Sequence, residues 1–225
     1  MKKINSLTLK NSDKEDLLEG IRTDGKKYSV RKHRKAFFMP DIWLKMIEEL
    51  SPKGKITAEI LIQTGARINE ARHIEERDID YERNTIKLRV TKTKARKKGE
   101  ERGSPRTIPI NSRFIKKLKK YFSNKDDKKL KILSTCAFNL ALKKHLEKIG
   151  VQDYYMYSAH NIRKTHGNWL KVLSNLRIIN CDASEICLRL GHSYETFLKD
   201  YGSAGVMDSK DVMLIKKILG DLYER

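Results

Sequence analysis

Only one stretch of this chain alternates apolar and polar residues at the two-residue period of a strand; the rest runs at the period of a helix. In DIDYERNTIKLRV, Ile86, Leu88 and Val90 alternate with polar residues after a turn at Glu82 to Asn84. A long, basic, glycine-containing tip, TKTKARKKGEERGSPR, follows, and TIPI returns as a third strand. So small an island of β structure in 225 residues predicts an α+β fold, mainly helical with a small three-stranded antiparallel sheet. A chain of this length buries a core without disulfides or structural metal.

The helical part is punctuated by its caps. Pro40 and Asp41 open a helix in which Trp43, Met46, Ile47 and Leu50 recur at helical spacing. KITAEILIQTGARINEARHI gives a mostly apolar helix carrying Ile56, Ile60 and Leu61, a break at Gly65 and a second short helix. The break places Arg67 at a helix junction, where a side chain can be aimed into a cleft. Asn111 or Ser112 caps a helix with Phe114, Leu118, Tyr121 and Phe122 on one face, and Ser134 caps another that Gly150 stops. Ser158 caps AHNIRKTHGNWLKVL, the looser SNLRIINCD leads into ASEICLRLGH, and DSKDVMLIKKILGDLY closes the chain. Val212, Ile215, Ile218, Leu219 and Leu222 make that last piece so apolar that it must dock on its own core or on a neighbour. The division expected is a basic arm or remnant of a DNA-binding domain over residues 1–36, a body over 37–203 and a C-terminal helix over 204–225.

Charge narrows the partner. Lys and Arg number 49 against 29 Asp and Glu, a net charge of +20. An excess of that size repels itself in a compact fold and points to a polyanion, nucleic acid first. A membrane surface fits less well, since no basic helix with a broad opposing apolar face is evident. A thermophile-like surface raises Glu along with Lys, unlike this composition. The first residues carry no apolar stretch behind their basic ones, so they do not read as a signal peptide, and no run approaches the roughly 20 apolar residues of a membrane span. Cys136, Cys181 and Cys187 include no CxxC pair and read as reduced thiols of a cytoplasmic protein; a zinc site using Cys181 and Cys187 matches no usual spacing.

Four islands remain: Arg67 in TGARINE, the lysines of TKTK, His160 and Arg163 in HNIR, and His192 followed nine residues later by Tyr201 in LGHSYETFLKDY. Singly each has a bland explanation: a surface arginine, a solvated charge run, a satisfied histidine, a core tyrosine. Their order and spacing together resemble the tyrosine recombinases, the family of phage-type integrases and Xer-like resolvases. TG-x-R-x-x-E is matched from Thr64 to Glu70, the hairpin lysine by Lys92-Thr93, H-x-x-R by His160 to Arg163, and LGH with its tyrosine by Leu190 to His192 and Tyr201. Three features depart from the family pattern. The interval from Arg163 to His192 is long, the hairpin is enlarged so that Lys94 competes with Lys92, and residues 1–36 are too few for the family's N-terminal clamp domain. The chain is either a catalytic domain from a longer protein or a natural minimal form.

The resemblance implies DNA strand cleavage and rejoining, and the residue types suit that chemistry. Arg67 and Arg163 would clamp the scissile phosphate, since a guanidinium fork donates two parallel hydrogen bonds and never loses its charge. Tyr201 would be the nucleophile, His160 or the phosphate itself the proton acceptor, His192 a donor to a nonbridging oxygen, and Lys92 the general acid for the departing 5′-oxygen. No carboxylate cluster for Mg²⁺ is apparent in the sequence, so the expectation is catalysis without metal, ATP or other cofactor. Glu70 is assigned a supporting pair with Arg67, against the alternative of a surface carboxylate. His166 is read as structural or as a phosphate neighbour, and Tyr154, Tyr155 and Tyr157 as packing or sugar-phosphate contacts. The implied partners are double-stranded DNA, in a nucleoid-associated setting of virus, plasmid or prokaryotic host, and further copies of the chain in a tetramer held through the C-terminal helix. Deleting Asp208 to Arg225 is then expected to weaken recombination more than DNA binding. The rival readings are a type IB topoisomerase-like relaxing enzyme and a basic DNA-binding module without catalysis.

Overall fold

The structure is a computed structural model that describes residues 37–89, 105–124, 126–191, 193–195, 197 and 207–222. The expectations that concern residues 1–36, Val90, Lys92, Lys94, His192 and Tyr201 lie outside the described residues. The chain divides into Met1–Arg34 and Lys35–Arg225, and the second unit carries everything that follows.

Helix α1, Pro40–Glu49, starts on a proline and buries Trp43 and Met46. Helix α2, Pro52–Thr64, is capped by Ser51, whose hydroxyl accepts from the Gly54 N–H. It is buried almost throughout from Ile56 onward, because it runs through the centre of the unit. After the one-turn helix α3, Ile68–Ala71, comes the sheet: β1 Ile79–Asp80, β2 Thr85–Leu88 and β3 Arg106–Pro109, antiparallel in that order. Ile79 and Ile108 both stand opposite Ile86, and Leu88 stands opposite Arg106. Alternation then turns Ile86, Leu88 and Ile108 into the core. The third strand begins at Arg106, one residue before the TIPI that the apolar pattern marks.

Asn111 accepts from the Arg113 N–H and starts helix α4, Ser112–Ser123, which buries Phe114, Ile115, Leu118 and Phe122. Ser134 starts helix α5, Thr135–Lys148, which buries Phe138, Leu142 and Leu146. Helix α6, Ala159–Asn175, lies along α2, and the two form the central helix pair. Helix α7, Ala183–Leu190, is capped by Asp182 and ended by Gly191 in the left-handed conformation; it packs on α6 and β3.

Helix α8, Ser209–Leu219, settles where the last apolar stripe goes. It packs on α1 and α6 of its own chain, with Ile215, Leu219 and Leu222 buried. Gln63 Nε2 donates to the Ile218 carbonyl at 2.7 Å, Asn111 Nδ2 donates to the Leu219 carbonyl at 2.8 Å, and Asp221 accepts from the Ser112 N–H at 2.8 Å. Of the two coverings expected for this stripe, its own core or a neighbour, the described residues pack it in cis, within the compact unit Lys35–Arg225. Three long-range hydrogen bonds and an apolar face are satisfied there without a neighbour.

Candidate active site

The corner between α2 and α3 is built by its side chains. Gly65 has φ of 60°, and its N–H closes α2 on the Leu61 carbonyl at 2.9 Å. A Cβ there would stand 2.6 Å from His166 Cδ2 and 2.8 Å from Leu190 Cδ2, so backbone conformation and close packing both demand glycine. Thr64 Oγ1 accepts from the Ala66 N–H at 3.0 Å and fixes the exit from the turn. Arg67 is the N-cap residue of α3, and its own N–H donates to Glu70 Oε2 at 2.8 Å. Arg67 Nη1 donates to Glu70 Oε1 at 3.0 Å, which aims the guanidinium while its side chain stays 38% exposed.

Glu70 is no surface carboxylate. Its side chain is 4% exposed, and Arg106 from β3 grips it with Nη2 to Oε2 at 2.7 Å and Nη1 to Oε1 at 3.2 Å. Burial pushes the carboxyl upward. The hydrogen bonds and charge of Arg106, the Arg67 N–H and the charge of Arg163 outweigh it, and the group is held below the ordinary carboxylate value.

Arg163, one turn into α6, is fully buried. Its Nη1 donates to the Gly65 carbonyl at 2.6 Å and its Nη2 to the Leu190 carbonyl. One guanidinium therefore binds the TGAR corner to the Leu190-Gly191 turn, and so joins three of the four sequence islands. The fork expected to face a phosphate is occupied by two backbone carbonyls, because α6 runs through the centre of the unit and directs this side chain inward. His160 lies on the first turn of the same helix and is exposed. His166 is buried, with Nδ1 2.6 Å from the Ile62 carbonyl, and burial lowers its pKa to about 4. His166 is wedged between α2 and α6 and is 2% exposed.

Beyond the Leu190-Gly191 turn, the Phe197 N–H donates to the Ser193 carbonyl at 3.0 Å, and the Phe197 ring is buried. Tyr194 stacks on it at 6.5 Å and is exposed. The chain is thus anchored on both sides of His192 and four residues before Tyr201. Tyr157 packs on Phe38 at 4.6 Å and Tyr155 is exposed, so that cluster divides between packing and surface. Cys181 and Cys187 are buried, and burial raises both thiols, that of Cys181 to about 12. Among the described residues no helix is long and apolar enough to cross a membrane.

Sequence reasoning overlooked Arg106. Its Nε also donates to the Arg189 carbonyl at 2.7 Å, and its guanidinium lies 3.4 Å from where a Gly191 Cβ would be. The signal was present: in the alternation of β3, Arg106 shares the core-facing side with Ile108. A charged residue at such a position requires a buried counter-charge.

No curated protein matches the chain. Among solved structures, XerA recombinase superposes with a TM-score of 0.56 at 19% identity, over 81% of this chain and 64% of that one. The Tn1549 transposon integrase in complex with transposon right end DNA gives 0.58 at 16% identity, over 90% and 70%. The catalytic domain of bacteriophage HP1 integrase gives 0.53 at 20% identity, over 74% and 86%. At these identities the likeness is one of fold, and the chain spans about two thirds of the length of XerA recombinase. The sequence profile of the phage integrase family matches residues 41–201, from the second residue of α1 to Tyr201. A match over most of the chain, on a mainly helical fold with a three-stranded sheet, shows that this chain belongs to the phage integrase family of tyrosine recombinases.

Proposed function

We propose that this chain cleaves and rejoins double-stranded DNA as a site-specific recombinase, through a 3′-phosphotyrosine at Tyr201. The observation that carries the reading is Arg163 bridging the Gly65 and Leu190 carbonyls, which ties the corner bearing half-exposed Arg67 to the Leu190-Gly191 turn. Family membership and the DNA-bound Tn1549 integrase and XerH recombinase, the latter on its difH substrate, support the same partner.

A phosphodiester resists attack because it is anionic, and fixed cations lower that barrier most effectively out of bulk water. Arg67 would meet the nonbridging oxygens directly. A phosphate oxygen is a stronger acceptor for a guanidinium than a carbonyl. Arg163 would therefore exchange the Leu190 carbonyl for a phosphate oxygen, shifting the turn before His192 as DNA seats. A tyrosine phenol in water has a pKa of about 10 and needs an acceptor at neutral pH, so Tyr201 would give its proton to His160 as its oxygen attacks phosphorus. His192 would donate to a nonbridging oxygen. The bond to the 5′-oxygen breaks as Lys92 of the hairpin protonates it, with Lys94 the competitor for that role. Attack by a second 5′-hydroxyl reverses the step and releases Tyr201, so the energy of the cleaved bond is kept and no ATP or metal is required. Self-association on DNA remains part of the proposal; α8 could serve it through its exposed face, which carries Met213, or by leaving its bonds to Gln63 and Asn111.

The test is a nicked suicide DNA substrate run on a denaturing gel. A covalent protein–DNA band that disappears in Tyr201→Phe is the expected result. Absence of a band on cognate DNA would leave only a basic DNA-binding module, and relaxation of plasmid lacking any target site would mark a topoisomerase instead.

A further inference from the structure

The chemistry proposed above assigns no part to Arg106, yet this residue is bound to Glu70 and to the Arg189 carbonyl and lies against Gly191. It lies at the first position of β3, opposite Leu88, the last residue of β2, and Lys92 and Lys94 fall between the two in sequence. Its Nη1 and Nη2 hold both oxygens of Glu70, the carboxylate that orients Arg67. Its Nε holds the Arg189 carbonyl, three residues before His192 in sequence, and its Nη1 lies 3.4 Å from where a Gly191 Cβ would be.

The charges around Glu70 give this arrangement a consequence for Arg67. Glu70 is buried and carries one negative charge, and two guanidiniums share it. Arg106, 13% exposed, neutralises that carboxylate by a two-point grip, while Arg67 at 38% exposed touches it through one terminal nitrogen and the backbone. The positive charge of Arg67 is therefore left over for an incoming anion. Without Arg106, a desolvated carboxylate with one remaining partner would draw Arg67 into a closed, neutral pair, because leaving such a group unpaired is far costlier.

We infer that Arg106 is a positioning residue of this active site: it holds Glu70 so that Arg67 stays aimed at the scissile phosphate with its charge uncommitted, and it fixes the Leu190-Gly191 turn. A lysine there would keep the charge but lose the planar fork that reaches a carboxylate and a carbonyl together. The inference rests on the recombinase reading, and the experiment separates the two.

Single-turnover formation of the covalent adduct on the suicide substrate is measured at saturating DNA for wild type, R106K, R106Q, E70Q and the R106Q/E70Q pair, with DNA affinity and thermal unfolding measured alongside. R106K, which leaves no bare buried carboxylate, is expected to fold and bind DNA as wild type does while forming adduct roughly 100-fold more slowly, the scale of a misplaced reacting group. Removing the carboxylate that captures Arg67 should restore part of the lost rate, so R106Q/E70Q should be faster than R106Q. R106K at the wild-type rate, rate losses that match losses of affinity, or R106Q and E70Q effects that simply add would overturn the role given to Arg106. A wild-type chain that forms no adduct would overturn the recombinase reading and this inference with it.

Discussion

Gly65 carries two demands at one position, a left-handed backbone and no side chain between His166 and Leu190. Gly65→Ala should therefore lower the unfolding free energy by about 3 kcal/mol, from backbone strain and overpacking together, and a shift of the urea midpoint at unchanged slope measures it. Two neighbouring groups give stability its pH dependence. His166 has a folded pKa near 4 against about 6.5 in an unfolded chain. Only the unfolded chain takes up that proton between those values, so the native state loses stability as pH falls through that window. His166→Gln should flatten the slope between pH 6.5 and 4; an unchanged slope would place its source elsewhere. Glu70 acts lower down, since its folded pKa is depressed. Its contribution is complete above the unfolded carboxylate value of about 4.3 and is lost as pH falls through the folded one. Glu70→Gln should remove that acid-side loss, read from urea midpoints below about pH 4.3.

Among the elements, those that end on a cap or a glycine were legible from the residues alone. Pro40, Ser134, Ser158 and Gly150 stand at or beside the ends they predict, and Gly65 stands at the break. Such signals act within one turn, which is why local sequence carries them. Pairings across the chain were not legible. The Arg106–Glu70 grip spans 36 residues, and no periodicity names the partner of a charge on a strand's inner face. The stripe on α8 declared that it must be covered without saying by what, and its own α1 and α6 cover it. That changes the outcome expected on deleting Asp208 to Arg225: DNA binding and adduct formation should fall together as the uncovered core destabilises the unit, checked by thermal unfolding. Milder lesions test the seat. Leu219→Ala should cost about 2–5 kcal/mol as a buried leucine truncation. Gly220→Ala would drive a Cβ to within 1.7 Å of Asn111 Nδ2 and should unseat the helix end, visible as faster amide exchange in α8.

At the scale of the molecule, a net charge of +20 makes a single prediction about DNA. If six to ten phosphates are neutralised, affinity should fall about 10³- to 10⁵-fold between 50 and 200 mM salt. A flat salt profile would mean that the charge serves something else. Salt dependence alone reports attraction to a polyanion, whereas covalent attachment reports chemistry at one atom. The most direct measurement is mass spectrometry of the adduct trapped on suicide DNA, after nuclease and protease digestion. The account predicts a nucleotide remnant on the peptide carrying Tyr201, ester-linked through its phenol. The remnant on Tyr194 or any other residue, or no modified peptide from a competent DNA complex, would contradict it.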